Sequence, residues 1–230
     1  MIQNDLLGVA VVYIYVAILL VFTEKILANH PEISRKVLHI MVGNVAFILP
    51  IFVTREIMAF IAAGPFILFT FLMSPYTPLK SMKGRTSSAG HSMGLVYYSI
   101  TWTILAYLFF DHMVVIAIGI FAMSYGDGLA SLIGMKYGRH KYNITGDEKS
   151  FIGTAAMFFF TCITMIIAIL YYKFINGYNF PFTVFSFGLL ALFAAVGAIV
   201  EGFTPKGLDN LTVPFVIAGL FWFAFINTVS

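Results

Sequence analysis

The sequence predicts an all-α, polytopic integral membrane protein with about eight transmembrane helices, both termini outside, and a single domain over residues 1–230. Three observations support this fold class. Sixty per cent of the residues are hydrophobic, 10% are charged, and the mean hydropathy is +0.95, whereas about a quarter of the residues in a soluble domain are charged. The apolar residues form continuous runs of bilayer-spanning length. Eleven of the 13 Lys and Arg residues lie between alternate pairs of these runs.

This composition excludes a disordered chain, a nucleic-acid-binding domain and an ordinary soluble enzyme, because so few charges could not cover a 25.5 kDa globule. A β-barrel is disfavoured, since the apolar runs lack the period-two alternation of membrane strands. The single cysteine, Cys162, lies within an apolar run and cannot form an internal disulfide. The N-terminal MIQND carries no Lys or Arg, so we expect the first run to be a retained span rather than a signal peptide.

Eight apolar segments are each close to the ~20 residues that a helix needs to cross the hydrocarbon core. They are Leu6–Phe22, Val37–Val53, Ile57–Met73, Met93–Phe110, Met113–Met135, Ile152–Ile175, Phe182–Val200 and Leu211–Val229. The fifth segment is the least regular, because it carries Asp127 and several glycines. These residues are compatible with a helix that is broken or that extends past the membrane.

The basic residues predict the orientation of these spans. The connectors after spans one, three, five and seven hold eleven cations: Lys25, Arg35, Lys36, Lys80, Lys83, Arg85, Lys136, Arg139, Lys141, Lys149 and Lys206. The other side holds only Arg55 and Lys173. Since cytoplasmic loops are enriched in Lys and Arg, we expect these connectors, and an active site built on them, to face the cytoplasm.

The fifth span contains the most unusual polar residue, Asp127. An acid inside a span costs roughly 2.5–3.5 kcal/mol on insertion scales, so it is usually kept for function; Asp127 is a candidate Mg²⁺ ligand or a base for a lipid hydroxyl, or alternatively the partner of a lysine. Ser124 and Ser131 share its predicted helix face. A ridge of small residues at every fourth position favours close approach of either a helix or a ligand: Ala122, Gly126, Ala130, Gly134 and Gly138.

The next connector and the start of the sixth span combine cations with a helix N-terminus. Lys149 and Ser150 precede Gly153 and Thr154, and the unpaired N–H groups of a helix start can bind a phosphate. No Walker loop is present, and the cations also fit the positive-inside pattern alone.

Polar residues at the other spans share the same predicted face. Glu201 and Asp209 flank the last connector and could supply carboxylates to a metal carrying phosphates, or serve as ordinary helix-end residues. Arg35 and Lys36 suit phosphates or lipid headgroups, and His39 lies one turn further along the predicted second span. The segment before and within the fourth span carries His91, Tyr97 and Tyr98, which either line a lipid entrance or mark the membrane interface.

Four segments in this order resemble the CTP-dependent polyprenol kinase family, which includes dolichol, phytol and diacylglycerol kinases. They are RKVLH (Arg35–His39), SYGDGLASLIGMKYG (Ser124–Gly138), EKSFIGTAA (Glu148–Ala156) and VEGFTPKGLDNLTVP (Val200–Pro214). The last segment looks most like the phytol kinase branch. The resemblance implies transfer of the γ-phosphate of CTP, or another nucleoside triphosphate, to an isoprenoid alcohol or diacylglycerol. It also implies Mg²⁺ as cofactor and leaves a homodimer open.

The resemblance and the residue patterns together lead to expected residue roles. Asp127, Lys149 and His39 are expected to be catalytic, and Asp127, Glu201 and Asp209 to hold Mg²⁺. Nucleotide binding is expected from Arg35, Lys36, Lys136, Gly138, Arg139, Lys149, Ser150 and Gly153. Lipid binding is expected from His91, Tyr97, Tyr98 and Asn210.

Two other functions remain open at this stage. A cytidylyltransferase would use a similar set of acids and cations but would attack the α-phosphate. It lacks support because no second clustered Asp pair is present. A small transporter would place its polar groups near mid-membrane and open to both sides, whereas these groups lie toward one face.

Overall fold

The computed structural model describes residues 2–78, 93–205 and 207–227. Within these ranges the chain forms nine α-helices and one two-stranded antiparallel hairpin. The helices are α1 (Ile2–Val21), α2 (Pro31–Val42), α3 (Pro65–Met73), α4 (Gly94–Leu108), α5 (Met113–Phe121), α6 (Gly128–Tyr137), α7 (Phe151–Asn176), α8 (Val184–Phe203) and α9 (Asp209–Phe225). The strands are β1 (Lys141–Asn143) and β2 (Glu148–Ser150), with Tyr142 opposite Lys149.

Short π- and 3₁₀-helical segments extend or join these helices. π-helical turns follow α1 (Phe22–Ile26), precede α3 (Ile57–Ala63) and connect α5 to α6 (Ala122–Asp127). A 3₁₀ segment, Gly43–Phe47, continues α2. The fifth predicted span is therefore one continuous helix, Phe110–Tyr137, that contains a π-helical segment rather than a break.

The helices confirm the predicted all-α membrane fold class. Five of those described are long and apolar enough to cross a membrane: Ile2–Ile26, Pro31–Ile51, Phe110–Tyr137, Phe151–Asn176 and Val184–Phe203. Three shorter apolar helices, Ile57–Met73, Gly94–Leu108 and Asp209–Phe225, coincide with the remaining predicted spans. The second helix begins six residues before its predicted start, because Pro31 suits the first helical turn. The total number of crossings and the outside location of the termini stay predictions.

The Phe110–Tyr137 helix is the centre of the bundle. In its most apolar stretch 78% of the residues are buried inside the protein, against 28–39% in the other four long helices. The surrounding helices expose large apolar side chains on their outer faces, including Leu6, Phe174, Val184 and Phe223. Such outward apolar surface is compatible with lipid as the surrounding solvent and would be costly in water.

Two of the long helices, α7 and α8, begin at a polar side chain that caps the helix. Ser150 and Thr183 precede α7 and α8, and their side chains accept hydrogen bonds from the backbone N–H groups of Gly153 and Ser186. The α7 helix ends at Gly177, whose φ of 67° is a left-handed conformation that glycine adopts at little cost. These groups define the starts of α7 and α8 and the end of α7.

Asp5 ties the first helix to the turn before the third predicted span. Its fully buried carboxylate accepts hydrogen bonds from the backbone N–H groups of Val53 (2.9 Å) and Thr54 (3.1 Å) and from the Thr54 hydroxyl (2.7 Å). The carboxylate thereby satisfies two backbone donors where the chain turns.

We expect the Asp5→Ala variant to lose about 1–3 kcal/mol of stability, since two part-buried backbone donors and the Thr54 hydroxyl would lose their acceptor. Reversible unfolding in mixed micelles measures this loss. Asp111→Ala is the matched control: its ion pair with Arg55 is exposed, so its removal should cost less than about 1 kcal/mol. Equal stability of the two variants would contradict the role of Asp5.

Candidate active site

A polar cavity of about 540 Å³ opens at the end of the bundle that the basic residues predict to be cytoplasmic. It lies between the start of α2, the helix α6, the β-hairpin, the start of α7, the end of α8 and the start of α9. Eight of the predicted site residues line it: Arg35, Lys36, Asp127, Lys149, Ser150, Gly153, Glu201 and Asp209. Four segments that are far apart in the sequence therefore form one site.

Three carboxylates, here called the acidic triad, converge at the inner side of this cavity. Asp127 ends the π-helical segment, Glu201 lies in the last turn of α8, and Asp209 is the first residue of α9. One carboxylate oxygen of each residue lies within 4.8 Å of the others. Each of the three side chains is at most 15% exposed. Three like charges this close repel one another unless cations balance them.

Lys149 supplies one such cation. Its Nζ lies 2.6 Å from Glu201 Oε1 and 3.9 Å from Asp209 Oδ2, and it also donates a hydrogen bond to the Glu201 backbone carbonyl. Burial alone would lower the pKa of Lys149, but the charge and hydrogen bond of Glu201, with the charges of Asp209 and Asp127, outweigh burial and raise it above its usual value. Lys149 therefore stays protonated beside the triad.

The first turn of α7 forms another wall of the cavity through Ser150, Gly153 and Thr154. Ser150 Oγ accepts from the Gly153 N–H at 3.1 Å and caps the helix. A Cβ at Gly134 would lie 2.9 Å from that oxygen, so α6 approaches the start of α7 closely because glycine is present. The helix start and its partial positive charge thus face the polar space.

The start of α2 contributes a cationic wall. Arg35 and Lys36 line the cavity together with Glu32, one helical turn earlier. The Arg35 Nε is buried and has no hydrogen-bond partner among the residues that the structure describes. Buried guanidinium donors are normally satisfied, so this one is available to a ligand.

His39 lies behind Asp127 and faces two acceptors. Its Nε2 is 3.0 Å from the Met123 carbonyl oxygen and 3.5 Å from Asp127 Oδ2. Two acceptors around one ring nitrogen favour the tautomer with the proton on Nε2. The Tyr98 ring packs edge-on against His39 with centroids 5.4 Å apart, and the Tyr98 hydroxyl hydrogen-bonds Ser124 Oγ at 2.9 Å.

A small apolar pocket of about 50 Å³ lies on the other side of His39, between α1, α2, α3 and α4. His39 and Tyr98 both line it. Because His39 also contacts Asp127, the polar cavity and the apolar pocket meet at the His39–Asp127 pair. Ser124, predicted to share a face with Asp127, hydrogen-bonds the Tyr98 hydroxyl within the same π-helical segment that ends at Asp127.

Several predicted site residues lie elsewhere. Lys136 and Arg139 are exposed and do not line the cavity, and the Lys136 ammonium lies 5.1 Å from the Tyr137 ring centroid. A Cβ at Gly138 would lie 2.6 Å from Ser150 Oγ, so this glycine serves packing. Tyr97 is half-buried and lines neither cavity. His91 is outside the described residues.

Asn210 follows Asp209 and is buried. Its backbone carbonyl accepts from the Thr101 hydroxyl at 2.7 Å, and its Oδ1 has no partner within the described parts of the chain. Asn210 lines neither cavity, so its predicted lipid contact stays a prediction.

The structure also adds residues that sequence reasoning did not select as site residues. Glu32 and Lys141 line the polar cavity. A signal existed for Glu32, since its spacing of three and four from Arg35 and Lys36 places all three on one helix face. Thr154, which the sequence places at the start of the sixth span, also lines the cavity, and its hydroxyl oxygen lies 2.6 Å from that of Tyr142.

Comparisons with known proteins agree with this geometry. A phytol kinase of Synechocystis sp. is 33% identical over 223 residues, covering 94% of this chain and 89% of the relative. A probable chloroplastic phytol kinase of Triticum aestivum is 28% identical over 220 residues, covering 90% of this chain and 72% of the relative. No family model matches the chain, and no solved structure matches it either.

The first relative covers nearly the whole chain at an identity that establishes kinship, and its alignment includes all four segments that form the cavity. The chain therefore belongs to the polyprenol and phytol kinase family and is a phosphotransferase that acts on an alcohol group.

Proposed function

We propose that this protein is a lipid kinase that transfers the γ-phosphate of a nucleoside triphosphate, CTP as the first candidate, to the hydroxyl of an isoprenoid alcohol. Phytol is the first candidate acceptor because the relatives are named for it; geranylgeraniol, longer polyprenols and diacylglycerol complete the candidate list. The observation that carries the proposal is the meeting of a polar cavity and an apolar pocket at the His39–Asp127 pair. A kinase for a membrane alcohol needs both environments side by side.

The polar cavity suits a nucleotide triphosphate. Its volume of about 540 Å³ falls within the ~300–1,000 Å³ of ordinary ligand pockets. Arg35, Lys36 and the start of α7 provide charged and N–H donors for phosphate oxygens. Lys149, held beside the triad, lies where it can contact the transferring phosphate and balance the acids at once.

The acidic triad suits Mg²⁺. Carboxylate oxygens are the hard ligands that this ion prefers, and Asp127, Glu201 and Asp209 present three of them within 4.8 Å of one another. When bound, the ion would offset negative charge on the donor phosphates. Without it, three acids face only one close ammonium, that of Lys149, among the described residues.

The reaction then follows from the positions of the side chains. The alcohol oxygen attacks the γ-phosphorus, a new O–P bond forms, and the bond from that phosphorus to the bridging oxygen of the leaving nucleoside diphosphate breaks. The alcohol proton passes to the Asp127 carboxylate. His39 donates its Nε2 proton toward Asp127 and keeps that carboxylate oriented, so His39 acts mainly by positioning.

The cavity opens at the end of the bundle rich in Lys and Arg, so we place the reaction on the cytoplasmic face. Nucleoside triphosphates are available on that side. The lipid product would remain in the bilayer with its phosphate at this surface.

The reaction type is tested with CTP labelled at either the γ- or the α-phosphate. We expect label from the γ-position, and none from the α-position, in the lipid product when purified protein is given phytol and Mg²⁺. The γ-phosphate is expected because the only cosubstrate is an unphosphorylated alcohol. α-Label in the lipid would establish a cytidylyltransferase instead, and no label with any of CTP, ATP, GTP and UTP would overturn the kinase proposal.

Asp127→Asn should reduce kcat by about 10²–10⁴-fold, the usual contribution of a positioned general base, while the protein keeps its fold. The amide preserves size but cannot accept the proton. Asp111→Asn, an exposed acid outside the cavity, serves as the control and should retain wild-type turnover. Substantial turnover by well-folded Asp127→Asn would contradict the assignment of the base.

Metal binding has a test independent of turnover. Mg²⁺ at about 100 times its dissociation constant should stabilise the wild-type protein by about 2.7 kcal/mol, seen as a higher melting temperature. Asp209→Asn should lose most of this shift, because it removes a charged ligand of the triad. An equal Mg²⁺ shift in both proteins would show that the triad is not the metal site.

A further inference from the structure

We propose that the apolar pocket between α1, α2, α3 and α4 binds the hydroxyl end of the alcohol, and that it holds the few carbons next to the hydroxyl while the rest of the chain lies in the bilayer. This inference rests on the proposed kinase function and adds the substrate's location and the basis of its selection. Three features of the pocket support it: its connection to Asp127, its outer wall and its size.

The contact between His39 and Asp127 indicates which end of the ligand lies next to the reaction site. Among the described residues that line the pocket, His39 is the one histidine. Its Nε2 lies 3.5 Å from Asp127 Oδ2. The other lining residues are apolar, aromatic or hydroxyl-bearing. A hydroxyl group at the His39 end therefore lies against the imidazole that contacts the proposed base, while the carbon chain extends away along apolar side chains.

The pocket runs along α4 from Leu95 to Trp102. Seven residues of helix rise about 10 Å, so the pocket spans about two turns of α4, from Leu95 past Tyr98, which packs against His39, to an inner end at Trp102. Phe66 stacks against Trp102 at that inner end, with ring centroids 6.0 Å apart. The Trp102 Nε1 is buried without a hydrogen-bond partner in the described parts of the chain.

Helix α3 provides the lateral entrance. None of the α3 side chains, all of which the structure describes, is buried. Phe69 lines the pocket and is nevertheless 37% exposed. This thin outer wall separates the pocket from the surrounding lipid, so a hydrocarbon chain can pass between α3 and its neighbours without entering water.

The size of the pocket sets its selectivity. A dry cavity of about 150 Å³ accommodates benzene, whereas this pocket measures about 50 Å³. Even with some opening at α3, it admits only a few carbons next to the hydroxyl. The enzyme should therefore select a narrow, single-chain alcohol and tolerate wide variation in chain length. Diacylglycerol, which carries a second acyl chain on the carbon next to the hydroxyl-bearing one, should be rejected.

The first test narrows the pocket. Thr70 faces Ser99 across it with hydroxyl oxygens 3.4 Å apart, so Thr70→Phe should raise the KM for phytol at least tenfold and leave the KM for CTP within twofold. Leu68→Phe, on the exposed face of the same helix, is the matched control and should change neither KM. Equal alcohol KM values for the two variants would overturn the pocket.

The second test needs no turnover. A geranylgeraniol analogue with a diazirine on its first isoprene unit is photocrosslinked to wild-type protein in nanodiscs, and the labelled peptides are mapped by mass spectrometry. Labels should fall on α3 and α4, with Thr70→Phe reducing them. Labels on the outer faces of α7 or α8 would overturn the pocket even in an active kinase.

The two tests separate the pocket from the proposed function. Crosslinks in the pocket together with no phosphorylation of any alcohol would refute the kinase function but support the lipid site. Phosphorylation of diacylglycerol as fast as of phytol would support the kinase function and refute the selectivity derived from the pocket.

Discussion

The structure depends on holding three carboxylates together in a mostly buried place. Oxygens of Asp127, Glu201 and Asp209 lie within 4.8 Å of one another, and at an effective dielectric constant of about 20 each such pair repels by roughly 3.5 kcal/mol or more. The chain resists this repulsion by attaching each acid to a different rigid helix. The positive charge of Lys149, which the hairpin places between Glu201 and Asp209, offsets part of the repulsion. This uncompensated repulsion favours binding of an added cation, which is the role proposed for Mg²⁺ here.

Close helix packing brings these groups together. Between lipid-exposed helices there is no hydrophobic driving force, so small residues that allow close backbone approach become decisive. A Cβ at Gly126 would collide with the Thr161 hydroxyl, and one at Gly134 would crowd Ser150. The small-residue ridge of the central helix therefore serves packing against α7. This packing carries Lys149 and the start of α7 to the acids.

The sequence predicted the parts of the site whose signal is local. Apolar length predicted each helix, and the cost of an acid in a span singled out Asp127. It could not predict the π-helical segment that ends at Asp127, because a change in helical turn leaves no trace in apolar periodicity. Charge alone also assigned Lys136 and Arg139 to the nucleotide, yet both side chains are exposed beyond the cavity. A basic residue in a connector is expected from the positive-inside rule alone, so its charge does not show that it binds a phosphate.

The π-helical segment Ala122–Asp127 contacts both the apolar pocket that faces the lipid and the polar cavity that faces water. Its Met123 carbonyl accepts from His39, its Ser124 hydroxyl bonds Tyr98, and its last residue is the proposed base. The wall of the apolar pocket and the floor of the polar cavity are thus attached to the same six residues. In the proposed reaction the alcohol oxygen and the phosphorus must approach to about 3–3.5 Å, although one partner comes from the bilayer and the other from water. Because one short backbone segment contacts the residues of both sides, the distance between the two sites depends on few intervening contacts.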